Sequence, residues 1–395
     1  MNTKRTLIFA ALGLAVCLQP THAQNIVWSD GSDGALAPDG TITNIVIDLS
    51  EAKTGVWDEN NEAHAGKGIY DPAKWAVVFK YSNVSIPRGV TVSFKNHPSH
   101  APVVWLVADS ATILGTVDVS GHPGQSGPLG LTPTEPGPGG FRGGPSGPAG
   151  CGVGLGPGGG DQASHATFKD LCFPCSDIWT GNQLIGGSGG SGSEGNAGGG
   201  GGGAIMIGAA YSLINEGAIY AKGGGSGWAG GSGGTVKIVA QEVLGSGEIN
   251  CLADGTSAGA GRAHIFTKVL APEMRIYPET TAASYYYDPI VWPADSTPSV
   301  SIVQVGADCS RDEPTAPLAG TADFTVEDEH PVAIKMETTN FPLEGTVLVR
   351  AAYKWGAASW VRASYLDGNE AKAHWRASYR FPKGYTTLQA RATAP

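Results

Sequence analysis

The side chains most able to do chemistry cluster at Cys172-Phe173-Pro174-Cys175, with Cys151 and His165 upstream. Three thiols and an imidazole match the soft donor set of a tetrahedral zinc site. The CxxC pair alone could also cycle between dithiol and disulfide. A third reading is one or two disulfides stapling a segment that has no core of its own, and the redox compartment decides among the three. Asn96-His97-Pro98-Ser99-His100 sets two imidazoles three residues apart. On a helix they could share a metal, but Pro98 and the flanking β-type runs point to a polar turn. Asp30-Gly31-Ser32-Asp33-Gly34 resembles the start of a calcium loop. It lacks the further alternating acids and the closing glutamate, which again leaves a turn. No nucleophile elbow and no phosphate loop is present: the glycine runs lack a GK[ST] ending and open no helix.

The compartment is read from the first residues. Lys4 and Arg5 precede a 12-residue apolar run, Leu7 to Leu18, and Thr21-His22-Ala23 then sets small residues before Gln24. This is the layout of a signal peptide over 1–23, too short to span a bilayer core of roughly 30 Å. A lipid anchor at Cys17 is opposed by Val16, where such processing needs a smaller residue. Export favours the staple, so Cys151, Cys172 and Cys175 are disulfide candidates and neither a metal nor a cofactor is expected. Five cysteines remain after cleavage, so at least one is unpaired in a monomer. Losing Lys4 and Arg5 also takes the net charge from −10 to −12. An acidic exported chain is a poor partner for nucleic acid. No later stretch is apolar enough to be an integral membrane segment.

The elements that must carry these residues are β-strands. Charged residues make up only 15% of the chain and glycine accounts for 60 of 395, a composition that penalises helix interiors by about 1 kcal/mol per glycine. Four zones follow. Residues 24–119 hold short β-type runs, and 120–203 hold half of the glycines and few charges. Residues 204–270 are strand-like again, and 299–395 have ordinary glycine content and many aromatics.

An internal repeat organises the middle of the chain. The runs Val103–Ala108, Ala204–Ala209, Thr235–Ala240 and Arg262–Thr267 superpose, and the first three are each followed by a second run beginning at Gly115, Gly217 or Gly247. The last three units are spaced by 31 and 27 residues, one supersecondary unit each. One unit cannot bury its apolar face alone, so successive units must stack. The pattern predicts an all-β chain: a right-handed parallel β-solenoid (β-helix) over 24–298, with 120–203 as a glycine-rich, low-complexity excursion that offers little to pack. Seven candidate strands over 299–395 (Val300–Val305, Ala322–Val326, Val332–Thr338, Thr346–Tyr353, Trp360–Leu366, Ala373–Phe381 and Thr387–Ala392) predict a C-terminal immunoglobulin- or fibronectin-like β-sandwich.

The strings GTVDVSG, GAIYAKGGG and GGSGGTVKIVAQ, with the glycine-rich excursion, resemble those of glycine-rich secreted bacterial β-solenoid proteins, often described as adhesin-like. The resemblance covers about 101–270. It implies an extracellular or cell-surface placement and carries no active-site residue with it.

Alternation with a period of two assigns faces. It puts Leu106, Ile207, Ile238 and Ile265 inside, with Cys251 as the buried unpaired thiol. Trp105, Met206, Lys237 and His264 then form a solvated column. Trp105, Lys237 and His264 are therefore binding candidates, joined by Trp355 beside Lys354 and Gly356 at a hairpin tip. Trp360 and Trp375 read as sandwich core. A carbohydrate-active enzyme, a lyase or hydrolase on the β-helix, is the alternative, and it would use Glu216, Asp118, Asn250, Lys237, Arg262 and His264 on one outer wall. No pair among these is set apart by spacing, so no catalytic residue is assigned. The function expected is that of a non-enzymatic structural or adhesion protein, with an extracellular glycan or a surface protein as its partner.

Overall fold

The structure is a computed structural model. It describes residues 29–147, 152–160, 184–254, 258–279, 282–284, 292, 296–306, 308–309, 331–353, 356, 358–381, 384 and 386–395. The segment 1–23 expected to be a signal peptide, Ala322–Val326 and the Cys151, His165, Cys172 and Cys175 group lie outside these residues.

The described chain is almost entirely β, with mostly parallel pairing in its N-terminal part and antiparallel pairing in its C-terminal part. It opens with β1 (Asn44–Asp48), β2 (Lys53–Thr54) and β3 (Ile69–Asp71). Strand triplets then recur. The first is β4 (Ala76–Tyr81), β5 (Val84–Ile86) and β6 (Thr91–Lys95), and the second is β7 (Val103–Val107), β8 (Ala111–Ile113) and β9 (Thr116–Asp118). The third is β10 (Ala204–Ala209), β11 (Ser212–Asn215) and β12 (Ala218–Tyr220). The fourth is β13 (Thr235–Val239), β14 (Glu242–Leu244) and β15 (Glu248–Asn250). A fifth, β16 (Arg262–Phe266), β17 (Val269–Leu270) and β18 (Arg275–Tyr277), leads to β19 (Ala282–Ser284).

The first members of the triplets join one sheet, the second members another and the third members another, each strand pairing in parallel with its counterparts in the neighbouring triplets. Stacking identical positions is what makes the apolar pattern cooperative. Phe79, Trp105, Ile207, Ile238 and Ile265 form one inward row across the first sheet, in a core shared with Ile113, Leu213, Val117, Ile219 and Ile249 from the other two.

This register corrects the expected alignment by one residue. Val104, not Trp105, pairs with Met206, and Trp105 pairs with Ile207. Trp105 therefore faces the core and Leu106 the opposite side, the reverse of the expectation, because a one-residue slip exchanges every face. The strand Val103–Val107 is buried on both faces, so its sequence carries no alternation to read.

The glycine-rich excursion likewise departs, over its described residues, from the expectation that it offers little to pack. Its described residues are largely buried and packed backbone to backbone. Gly198, Gly201 and Ala204 donate to the carbonyls of Gly144, Phe141 and Pro138; Gly199 and Gly202 to Ala229 and Ser232; Gly200 and Gly203 to His122 and Val119. Partners recur every third residue, the repeat of the polyproline II helix. Each such segment can thus bond to three neighbours, which satisfies the backbone without a sheet. A side chain is excluded by contact: a Cβ on Gly199 would lie 1.9 Å from the Gly224 carbonyl oxygen, and one on Gly201 1.9 Å from that of Gly187.

The C-terminal strands are β20 (Ser299–Val305), β21 (Asp308–Cys309), β22 (Val332–Thr339), β23 (Thr346–Tyr353), β24 (Val361–Arg362), β25 (Ser364–Asn369), β26 (Lys372–Tyr379) and β27 (Thr386–Thr393). They form a five-stranded and a three-stranded antiparallel sheet. The predicted run Trp360–Leu366 divides at Ala363, giving one strand to each sheet. Ile334, Met336 and Trp375 from the larger sheet share a core with Val347 and Val349 from the smaller. Trp375 is core, as expected. Trp360 is instead half-buried, its ring 4.9 Å from the Arg350 guanidinium and 5.1 Å from that of Arg391. Arg350 also donates to the Gly154 carbonyl at 2.8 Å, so it ties the smaller sheet to the glycine-rich segments.

Candidate functional site

The residues singled out in the sequence do not share one wall. Lys237 and His264 do neighbour each other, on β13 and β16, on the outward face of the first sheet. They are only 2% and 8% exposed. Met206, Val104 and Val239 pack there with Trp57, Leu184 and Trp292. Trp57 meets Trp292 edge to face at 5.5 Å. The expected solvated column is thus a second, covered core. Burial lowers the Lys237 ammonium to about 8. Burial, then the charges of Arg262 and Lys237, lowers His264 to about 4, and its Nε2 has no hydrogen-bond partner. Trp105 is fully enclosed, and Trp355 lies outside the described residues.

The enzyme constellation is divided between two of the parallel sheets and a turn. Lys237, Arg262 and His264 belong to the first, Asp118 and Asn250 to the third, and Glu216 to the turn after β11, where it accepts from Ser246 Oγ at 3.0 Å. Cys251 is free and buried as expected, and burial pushes its thiol to about 12. Among the described residues no group of three or more His, Cys, Asp or Glu side chains is placed to hold a metal ion. No helix among them is long and apolar enough to cross a membrane.

The two motifs expected to be turns are turns. Asp33 is buried and accepts from the Lys80 amide at 2.7 Å, Asn61 Nδ2 at 2.6 Å and Gly66 N at 3.0 Å, while Gly31 and Gly34 take positive φ. The Asp33 carboxylate is spent on closing the chain around β4. Asn96–His100 links β6 to β7. His97 stacks on Tyr70 at 4.0 Å and contacts Ser99 Oγ through Nδ1 at 2.8 Å. His100, at φ 54°, faces Arg142 Nη2 through Nε2 at 3.2 Å, and Arg142 Nε donates to Glu135 at 3.1 Å. Arginine can only donate, so His100 Nε2 accepts and the ring is neutral. Burial lowers His97 to about 4, and burial lowers His100 as well. A value near 4 leaves the His97 imidazole poorly matched to proton transfer near neutrality. This corner locks the glycine-rich segments to the sheets.

A partly exposed polar surface lies on the outward face of the third sheet. Tyr220 pairs with Asp118 on one side and Asn250 on the other, and Asn250 pairs in turn with Tyr277. All four are half-exposed. In the adjacent row Glu248 pairs with Arg275, their side chains 3.6 Å apart, and Asn250 Nδ2 donates to Glu248 at 2.9 Å. The Lys222 ammonium lies 4.7 Å from the centre of the Tyr220 ring. Burial, then the Glu248 and Asp118 carboxylates, holds the Tyr220 phenol above its ordinary value. Neighbouring strands lie about 4.8 Å apart, so the two phenol rings recur at roughly twice that distance with an amide between them. Equivalence of Asp118, Tyr220 and Asn250 was legible in the repeat. Tyr277 and Arg275 were not, although Arg275-Ile276-Tyr277 follows Glu248-Ile249-Asn250 by the same 27-residue step that separates β13 from β16.

Comparisons of the chain with models of known protein families, with curated proteins and with solved structures give no match.

Proposed function

We propose that this is a secreted, non-enzymatic scaffold of the extracellular space or cell surface, and that the outward face of its third sheet binds an extended glycan. The observation that carries the reading is the Asp118–Tyr220–Asn250–Tyr277 row. It combines flat aromatic faces for stacking against sugar rings with amide, carboxylate and ammonium groups for hydroxyls. Five in-register triplets around one core support winding as a parallel β-solenoid, and such a body is stiff enough to hold the row straight. The two antiparallel sheets with their shared core support a β-sandwich as the second module. Export rests on the apolar run Leu7 to Leu18 and its flanks.

Glycan-array binding by the mature chain tests this reading, alongside the double variant Tyr220→Ala/Tyr277→Ala. Retention of one extended glycan class by the wild type, weakened at least tenfold in the variant, is expected. Undiminished binding by the variant would remove the row from the account.

A further inference from the structure

The antiparallel sheets carry a separate opening that the third sheet does not explain. An open pocket of about 420 Å³ lies where the chain leaves β24 for β25, lined by Leu343, Glu344, Arg362, Tyr365 and Trp375 among others. Its floor and its platform are both fixed. Trp375 is buried, donates through Nε1 to Thr338 Oγ1 at 2.9 Å and meets Phe341 edge to face at 6.4 Å. Tyr365 stands edge-on to Trp375 at 5.6 Å and donates its hydroxyl to the Gly368 carbonyl at 2.8 Å. The phenol ring is thus held from both ends and yet 44% exposed. A large aromatic immobilised at the surface has already lost its side-chain entropy before any ligand arrives.

The rim supplies the polar complement. Glu344 and Arg362 are both exposed. Neither side chain makes a hydrogen bond or ion pair among the described residues. One accepts only and the other donates only. Their charges balance, which disfavours a strongly charged ligand and suits one whose hydroxyls both donate and accept. The opening is wide rather than deep, with room for one ring against the Tyr365 face.

The geometry points to a second carbohydrate site: a single sugar unit stacks on Tyr365, with its hydroxyls shared between Arg362 and Glu344. This site does not depend on the row in the third sheet. If both operate, one chain holds two points of a glycan, and linkage multiplies their separate affinities.

Saturation-transfer NMR on the full mature chain, with free glucose, galactose, mannose and N-acetylglucosamine as the probes, tests the pocket. At least one of the four should show transfer in the wild type and in the Tyr220→Ala/Tyr277→Ala variant alike. That transfer should fall at least fivefold in Tyr365→Ala and recover in Tyr365→Phe, which keeps the stacking face. Arg362→Ala should weaken it without disturbing the fold, as checked by circular dichroism. Transfer from none of the four sugars overturns the proposal, as does a signal that survives Tyr365→Ala. A signal lost only in the Tyr220/Tyr277 variant assigns all binding to the third sheet and leaves that reading standing.

Discussion

Replacing Gly199 with alanine puts the packing of the glycine-rich segments to a quantitative test. The new Cβ would sit 1.9 Å from the Gly224 carbonyl oxygen, 2.7 Å from its carbon and 2.8 Å from the Gly231 nitrogen. All three are backbone atoms, so no rotamer change relieves the contact, and the facing segments must part by more than an ångström. Parting weakens the bonds from Gly199 N to Ala229 O at 2.9 Å and from Gly224 N to Gly200 O at 2.8 Å. Overpacking costs about 1–3 kcal/mol, and each buried backbone group left unpaired costs roughly another 1–3 kcal/mol. With one such group left unpaired, Gly199→Ala should therefore destabilise by about 2–6 kcal/mol. Gly227→Ala is the control, because the nearest atom to its Cβ is Asn196 Oδ1 at 3.6 Å, an ordinary contact. It should be neutral or slightly stabilising, by up to ~1 kcal/mol. Urea unfolding followed by circular dichroism measures both. Equal midpoints for Gly199→Ala and the wild type would refute the three-residue packing scheme.

Three further outcomes follow from the buried groups. His97 and His264 are held near pH 4, below the ordinary imidazole value of 6.5, so the unfolded chain binds more protons between those values. Their contribution to stability is present above pH 6.5 and is lost as pH falls towards 4, with a limiting slope of about 1.4 kcal/mol per pH unit for each histidine. His264→Gln should flatten that slope in urea titrations across the window, and an unchanged slope contradicts the burial argument. Arg350→Ala removes the bond to Gly154 and the contact with Trp360. It should make the antiparallel sheets several-fold more susceptible to limited proteolysis, while equal digestion rates would show that the tie is dispensable. Cys251, buried with its thiol raised to about 12, should resist iodoacetamide in the folded protein and react promptly in urea; fast labelling of the native chain contradicts its place in the core.

The sequence was most legible where one face of a strand is apolar and the other polar. Tyr220 and Asn250 alternate with Ile219 and Ile249, and their register was read correctly from that contrast. It failed where both faces are covered. Val103–Val107 offers only apolar residues, so Trp105 was placed on the wrong side. Lys237 and His264 failed for a related reason. Their polarity suggested solvent, but Trp57 and Trp292, remote in sequence, cover that face. The glycine-rich segments escaped because their order is written in backbone contacts, and a run such as Gly198–Gly203 shows no hydrophobic period at all. The pocket at Tyr365 was missed because its walls come from the turn at Leu343–Gly345, the crossing at Arg362–Tyr365 and Trp375, which no local motif joins.

In the proposed function the Asp118–Tyr220–Asn250–Tyr277 face holds a glycan without cleaving it. Incubating the protein without residues 1–23 with the polysaccharide it retains best on the array, and following both bound protein and newly formed reducing and unsaturated chain ends, tests this. Saturable binding that is lost in Tyr220→Ala/Tyr277→Ala, with no new chain ends over the incubation, is expected. Chain ends that accumulate with the wild type and disappear in Glu248→Gln would contradict it and establish an enzyme on the same face.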